Sequence, residues 1–251
     1  MAFHSDVHDG IAELVIDNPP VNALGVKAWG DLAREIERLG RDEAVRVLVI
    51  RAEGRGFQCG VDVKELTEDG SLIVEVNRGC YDTFGAIVDC PVPVISAVHG
   101  YCLGGGIGIA GSSDFVIASD DATFGLPEID RGAMGAATHA MRMFGMQEAR
   151  RMLLTGEPID AAEAYRLGGL LRVVKKDALR DAALELAGKI ASKSPLAVRA
   201  AKASLLGIEL LDVKRSYRYE QGFTLELYTS GDSQESRDAF VEKRDAKFEK
   251  K

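Results

Sequence analysis

Positive charge is in short supply: 31 lysines and arginines stand against 39 acids, a formal net charge of -8. A surface of that sign repels a phosphate backbone, which excludes nucleic-acid binding as the main activity. Long hydrophobic runs are missing too, and the longest falls well short of a membrane span. The opening residues MAFHSDVHDG carry acids and no apolar core, so no signal peptide is visible. The four cysteines, Cys59, Cys80, Cys90 and Cys102, include no C-x-x-C pair. They read as reduced thiols of a cytoplasmic protein rather than a disulfide framework. The histidines, His4, His8, His99 and His139, lack metal-ligand spacing. No G-x-S-x-G occurs, which excludes a serine hydrolase of that type. Internal repeats and low-complexity segments are absent as well.

What remains is ordinary globular material, 46% hydrophobic and 28% charged over 251 residues, enough for one large core or a core with an appendage. Residues 11–17 read as a strand and 27–39 as a helix, with Trp29, Leu32, Ala33, Ile36 and Leu39 at helical spacing. Residues 45–50 form a second buried strand, which makes a right-handed βαβ unit. A glycine-punctuated loop, residues 53–60, follows. Helices are expected at 61–66 and 77–88, strands at 92–98 and 115–119, and a short strand at 170–174. From about Gly145 the pattern turns helical, with helices at 147–154, 161–167, 178–192, 195–211 and 233–247. The class is α/β: a β/α core over 1–195 and a helical region over 196–251.

The chain is organised around residues 91–128. A buried strand runs into His99-Gly100, then three consecutive glycines, Gly104, Gly105 and Gly106, precede an apolar turn. Such a glycine run feeds a helix N-terminus, where free backbone N–H groups favour an anion or a developing oxyanion. Residues 106–111 match G-x-G-x-x-G, but His99 to Gly105 separate that match from the strand, and the next strand leaves no room for a long crossover helix. A dinucleotide site is therefore rejected. Glu128, in the turn Phe124-Gly125-Leu126-Pro127-Glu128, is expected to face the same pocket as the glycine loop.

Four segments, in order along the chain, carry a specific likeness. Phe57 to Leu66 resembles the F-x-x-G-x-D-(I/V)-x-E-(L/M) segment of the crotonase (enoyl-CoA hydratase/isomerase) superfamily. His99 to Gly106 resembles its N-G-x-x-x-G-G-G loop, with His for Asn. Residues 124–128 match F-G-x-P-E, and 239–244 match A-F-x-E-K-R. The resemblance implies the crotonase fold of repeated ββα units, a helical C-terminal trimerisation region, and a homotrimer or a hexamer of two trimers. It implies a small-molecule acyl-CoA substrate, with coenzyme A carried as the thioester, no resident cofactor and no metal. The thioester oxygen would lie between the Val61 and Gly105 amides, with Glu128 catalytic. Cys59, Gly60, Asp62, Val63, Gly104, Gly108 and Arg131 would contact the substrate or its CoA, and Phe240 and Lys243 would close over the nucleotide from the same or a neighbouring subunit. Hydratases of the family carry a second glutamate where this chain has Gly108, which speaks against hydration and leaves room for a bulky acyl group. Longer stretches (51–66, 77–80, 119–139, 216–224) resemble the crotonase-family ring hydrolases of actinobacterial steroid breakdown. That implies retro-Claisen opening of a bicyclic keto acyl-CoA, with Asp130, Arg131, His139, Tyr217 and Glu220 as secondary candidates around the ketone. The alternatives are an enoyl-CoA hydratase or isomerase of β-oxidation, and a non-catalytic CoA-binding module.

Overall fold

The computed structural model describes residues 2–247. Its elements run β1 (Phe3–His8), β2 (Ile11–Ile16), α1 (Val26–Arg41), β3 (Val47–Ala52), α2 (Val63–Glu68), α3 (Ile73–Val88), β4 (Val94–Val98), β5 (Tyr101–Leu103) and α4 (Gly105–Ser112). They continue with β6 (Phe115–Ser119), β7 (Thr123–Gly125), α5 (Ala137–Thr155), β8 (Ile159–Asp160), α6 (Ala161–Arg166), β9 (Arg172–Val174), α7 (Leu179–Ala191), α8 (Pro195–Ile208), α9 (Val213–Tyr228) and α10 (Gly231–Glu242).

Six strands form the main sheet in the order β1-β2-β3-β4-β6-β9. Only the β1–β2 hairpin is antiparallel; β2–β3, β3–β4, β4–β6 and β6–β9 are parallel. Successive residues of β3 point to opposite faces, as strand geometry requires. Val47 and Val49 join Ile95, Ala97 and Ile117 under Leu179, Ala182, Ala183 and Ala187 of α7. Leu48 and Ile50 face the larger core with Trp29, Leu32 and Ile36 of α1 and Phe84 and Ile87 of α3. Being covered on both faces explains why these strands read as unbroken apolar runs. A small second sheet, β5-β7-β8, stands beside the first. Its parallel β5–β7 pair holds Leu103 against Gly125, which sets the glycine loop beside the turn carrying Glu128.

Several elements differ from the sequence expectation. The hairpin strand β1, the small sheet and the helix α9 were not anticipated. Helix α5 starts at Ala137, ten residues before the expected 147, and is interrupted at Gly145 (φ 76°, ψ 172°), so the pattern-based start corresponds to its second half. Helix α3 starts at Ile73 instead of 77, and α10 ends at Glu242 instead of 247. The helical region is not a separate appendage. Helices α9 and α10 pack on the core of their own chain, burying Tyr217, Gln221, Thr224, Ser233 and Arg237. Helix α8 buries none of its residues. Among the described residues, no helix is long and apolar enough to cross a membrane.

Candidate functional site

Two backbone segments meet, the loop around Gly60 and the glycine run at Gly104 and Gly105. Gln58 is fully buried, and its side-chain amide grips Gly60 at both ends: Gly60 N–H donates to Oε1 (2.8 Å) and Nε2 donates to the Gly60 carbonyl (2.6 Å). Leu24 bridges the following stretch, its N–H donating to Gly60 O (3.1 Å) and its carbonyl accepting from Asp62 N–H (3.0 Å). In a parallel bridge of this kind both bonds go to the flanking residues, so the Val61 amide is turned away from Leu24. The loop lies against the glycine run, since a Cβ on Gly60 would come within 3.6 Å of Gly105 N. Gly105 is the first residue of α4, so its N–H is free by construction. Both amides are therefore left unbonded by their own loops, on touching segments.

Gly104 opens the remaining face. Its backbone (φ 54°, ψ -110°) suits only glycine, and an added Cβ would lie 2.1 Å from Glu128 Oε1. The Glu128 carboxylate thus rests directly on the glycine loop. It comes from the 3-10 turn Pro127–Arg131, launched by β7. The residue as a whole is half-buried, yet Oε2 is shielded from solvent and lacks a hydrogen-bond partner. Desolvation raises its pKa from 4.5 to about 7; the positive charge of Arg131 opposes the rise without cancelling it. A carboxyl poised near neutrality can give or take a proton.

A chamber opens beside these segments. Of the residues expected from sequence, Cys59, Gly60, Val61, Val63, Gly104, Gly105, Glu128 and Arg131 line it, as does Tyr217. Asp62 instead caps α2, accepting from Lys64 N–H (3.0 Å). Phe240 stays at the rim, where the Arg131 guanidinium sits 4.4 Å over its ring, and Lys243 ends α10 in a left-handed turn. Neither thiol of the chamber is a ready nucleophile, because burial raises the pKa of both Cys59 and Cys80.

The expectation that Gly108 leaves room for a bulky group is corrected. The Phe84 ring occupies that space: a Cβ on Gly108 would fall 2.1 Å from Phe84 Cζ. Gly108 lies behind this ring and does not line the chamber. Three secondary candidates also find other work. Glu220 accepts from the N–H groups of Ala137 (2.8 Å) and Thr138 (3.0 Å), capping α5 from a distance. Asp130 is exposed. His139 lies outside the lining, fully buried between Phe84 (4.7 Å) and Tyr217 (4.8 Å). Burial, helped by Arg142, lowers the His139 pKa from 6.5 to about 3. As the pH falls below 6.5 the unfolded chain takes up a proton that the folded chain refuses, so stability drops by about 1.4 kcal/mol per pH unit. Glu128 acts in the opposite direction over the same range, so the His139 contribution is read as a difference: in denaturant melts His139→Leu is expected to be more favourable relative to wild type at pH 5 than at pH 7, by on the order of 2 kcal/mol.

Sequence reasoning missed Asn77, Phe84, Thr224, Tyr228 and Arg237, all of which line the chamber. The last three project from α9 and α10, where charged and aromatic residues in a polar text resemble a solvated face.

The chain resembles known proteins along nearly its whole length. Residues 6–251 match the family model described as enoyl-CoA hydratase/isomerase. The chain is 49% identical over 236 residues to a Mycobacterium tuberculosis protein named (7aS)-7a-methyl-1,5-dioxo-2,3,5,6,7,7a-hexahydro-1H-indene-carboxyl-CoA hydrolase, covering 93% of this chain and 96% of that one. It is 47% identical to the Rhodococcus jostii protein of the same name, covering 93% and 92%. A probable enoyl-CoA hydratase of Bacillus subtilis is 37% identical, covering 95% of each chain. Among solved structures, an enoyl-CoA hydratase/isomerase from Pseudoalteromonas atlantica superposes with a TM-score of 0.89 at 28% identity, covering 99% of this chain and all of that one. With the family model running through the fold, the paired amides and the Glu128 turn alike, the chain belongs to the enoyl-CoA hydratase/isomerase, or crotonase, family.

Proposed function

We propose that the protein hydrolytically opens a ring of a bicyclic keto acyl-CoA, the reaction class named for its two relatives at 49% and 47% identity, in steroid catabolism. The observation that carries this reading is Glu128, the one carboxyl among the described residues lining the chamber, set beside two free amides, with the second carboxylate position closed by Phe84. Water adds to the ring ketone while Glu128 takes its proton. The neighbouring ring bond then breaks, and its electron pair moves into the thioester as an enolate. The Val61 and Gly105 amides stabilise that enolate oxygen, an arrangement in which losing one donor typically costs about 2.7–4 kcal/mol of barrier. Glu128 returns the proton to the carbanion carbon. Coenzyme A enters as part of the substrate, and no resident cofactor or metal is invoked.

Hydration needs one group to orient water and another to handle the carbon-bound proton. Gly108 supplies neither, and Phe84 stands where a longer side chain would reach. Purified protein mixed with crotonyl-CoA is therefore expected to leave the conjugated thioester absorbance essentially unchanged. Mixed with the dioxo-hexahydroindene-carboxyl-CoA, it is expected to yield a product heavier by one water in mass spectrometry. Rapid loss of crotonyl-CoA absorbance, with no such product, would return the protein to the hydratases. Tight binding of both thioesters with neither reaction would make it a CoA-binding module.

The region 196–251 we assign to trimerisation as well as to roofing the chamber. Helix α8 presents Leu196, Leu205 and Ile208, at 80%, 65% and 71% exposure, together with the fully exposed Leu210 just beyond it. An apolar surface of that kind fits burial against other copies of the chain. A cytoplasmic location accords with the four free thiols.

A further inference from the structure

Arg237 is 3% exposed and projects from α10 into the chamber. Only neutral acceptors hold it. Nη1 donates to Ser233 Oγ (2.6 Å), Nη2 donates to Gln234 Oε1 (2.6 Å), and the guanidinium lies 4.7 Å from the centre of the Tyr228 ring. Its Nε is buried without a partner. Among the described residues, no carboxylate comes within ion-pair reach of it. A guanidinium cannot shed its charge, and a buried charge with no counter-ion carries a desolvation cost that neutral acceptors only partly offset. Such a group calls for an anion.

Arg131 does not answer the same need. It is close enough to Glu128 to hold that carboxyl's pKa down, whereas Arg237 is not among the charges acting on Glu128. Arg131 Nε is buried without a partner too, but its charge faces Glu128; among the described residues lining the chamber, Arg237 is thus the cation with no carboxylate acting on it. Its placement is built in: Gly132 adopts a left-handed turn (φ 63°) against which α10 packs closely, since a Cβ there would lie 2.6 Å from Ser233 Cα. The turn that carries Glu128 and the helix that carries Arg237 are therefore locked together.

We infer that Arg237 binds the carboxylate created by ring opening and, one step earlier, the alkoxide formed when water adds to the ring ketone. This rests on the ring-opening reading above. In that reaction the water oxygen bonds to the ketone carbon, and the ring C–C bond breaks with its electron pair going to the thioester. One water proton passes through Glu128 to carbon, and the other leaves as the new acid ionises. One anion, the enolate, is met by the Val61 and Gly105 amides. The second forms at the other end of the acyl group, and Arg237 meets it.

Two ligands of equal length probe the site without any reaction: adipyl-CoA, which ends in a carboxylate, and hexanoyl-CoA, which does not. By calorimetry, wild-type protein is expected to bind adipyl-CoA about tenfold to a hundredfold more tightly, the range of charge-assisted hydrogen bonds. Arg237→Gln is expected to erase that preference while leaving hexanoyl-CoA affinity within about twofold, and Arg237→Lys to restore part of it. Turnover of the bicyclic thioester by Arg237→Gln should fall in kcat by about the same tenfold to hundredfold, with KM moving less. The inference is overturned if wild-type protein shows no preference for adipyl-CoA, a result that needs no variant to fold, or if the preference survives in Arg237→Gln. If wild-type protein opens the ring but lacks the preference, only the Arg237 assignment falls. If it shows an Arg237-dependent preference but opens no ring, the anion site stands and the reaction reading falls.

Discussion

Glu128→Gln is expected to lower turnover of the bicyclic keto thioester by about a thousandfold, the middle of the range for losing a positioned acid–base group. Gln is nearly isosteric, so the oxygen resting on Gly104 and the closed chamber are kept while the proton acceptor is lost. The pH profile separates this role from a merely structural one. In the wild type the base must be ionised, and Glu128 titrates at about 7. The kcat/KM should therefore rise with pH through about 7 and level off above it, and the residual rate of Glu128→Gln should lack that step. An unchanged rate in the variant would remove Glu128 from the chemistry altogether.

The same substitution is expected to make the protein more stable in alkaline solution. The folded-state pKa of Glu128 is raised, so between about 4.5 and 7 the folded chain holds a proton that the unfolded chain has released. Stability contributed by this carboxyl is lost as pH rises through that window and stays lost above it. Gln removes the penalty, and the variant should gain on the order of 1–3 kcal/mol at pH 8 relative to its difference from wild type at pH 4, measured by denaturant titration. A catalytic group that weakens the fold it sits in is what a carboxyl buried without a partner for Oε2 should be.

The glycine loop and the Glu128 turn were legible in the sequence because they are local: a strand end, a glycine run and a Pro-Glu turn lie within a few dozen residues, whereas the Val61 amide, more than forty residues before Gly105, was reached only through the family resemblance. What stayed hidden is non-local or polar. Helix α9 buries Val213, Tyr217, Glu220, Gln221 and Thr224, which is helical spacing carried mostly by polar side chains that a hydrophobicity pattern does not register. The start of α5 was missed for a related reason. Its N-terminal amides are capped by Glu220, more than eighty residues downstream, and Ala136 enters the helix in a left-handed conformation with no local signal. Arg237 reads as one more surface charge until α10 is seen lying across the chamber. Gly108 was singled out as the place of a missing carboxylate, but the glycine alone could not reveal that Phe84, from another helix, fills its space.

That last pairing yields the second large effect. Gly108→Glu should not create a hydratase; it should destabilise the fold by about 3 kcal/mol or more, because its first side-chain atom would fall 2.1 Å from Phe84 Cζ. Phe84 has little freedom to yield, packed edge-on against Trp29 (5.7 Å) and His139 and tilted against Tyr217 (5.2 Å). Phe84→Ala alone should cost roughly 3–5 kcal/mol by leaving a cavity. The double variant should lose clearly less than the sum, since the glutamate stem occupies the volume the ring vacates, and residues in contact are not additive. Thermal melts of the four proteins test this directly: a Gly108→Glu variant as stable as wild type would show that the ring moves aside freely and does not close the position. If the coupling is found, crotonyl-CoA becomes the informative substrate, because only the double variant places two carboxyls around the chamber. Detectable hydration there, with none in the wild type or in Phe84→Ala, would mean that a glycine and the ring seated on it are what keep this chain from the hydratase reaction of its family.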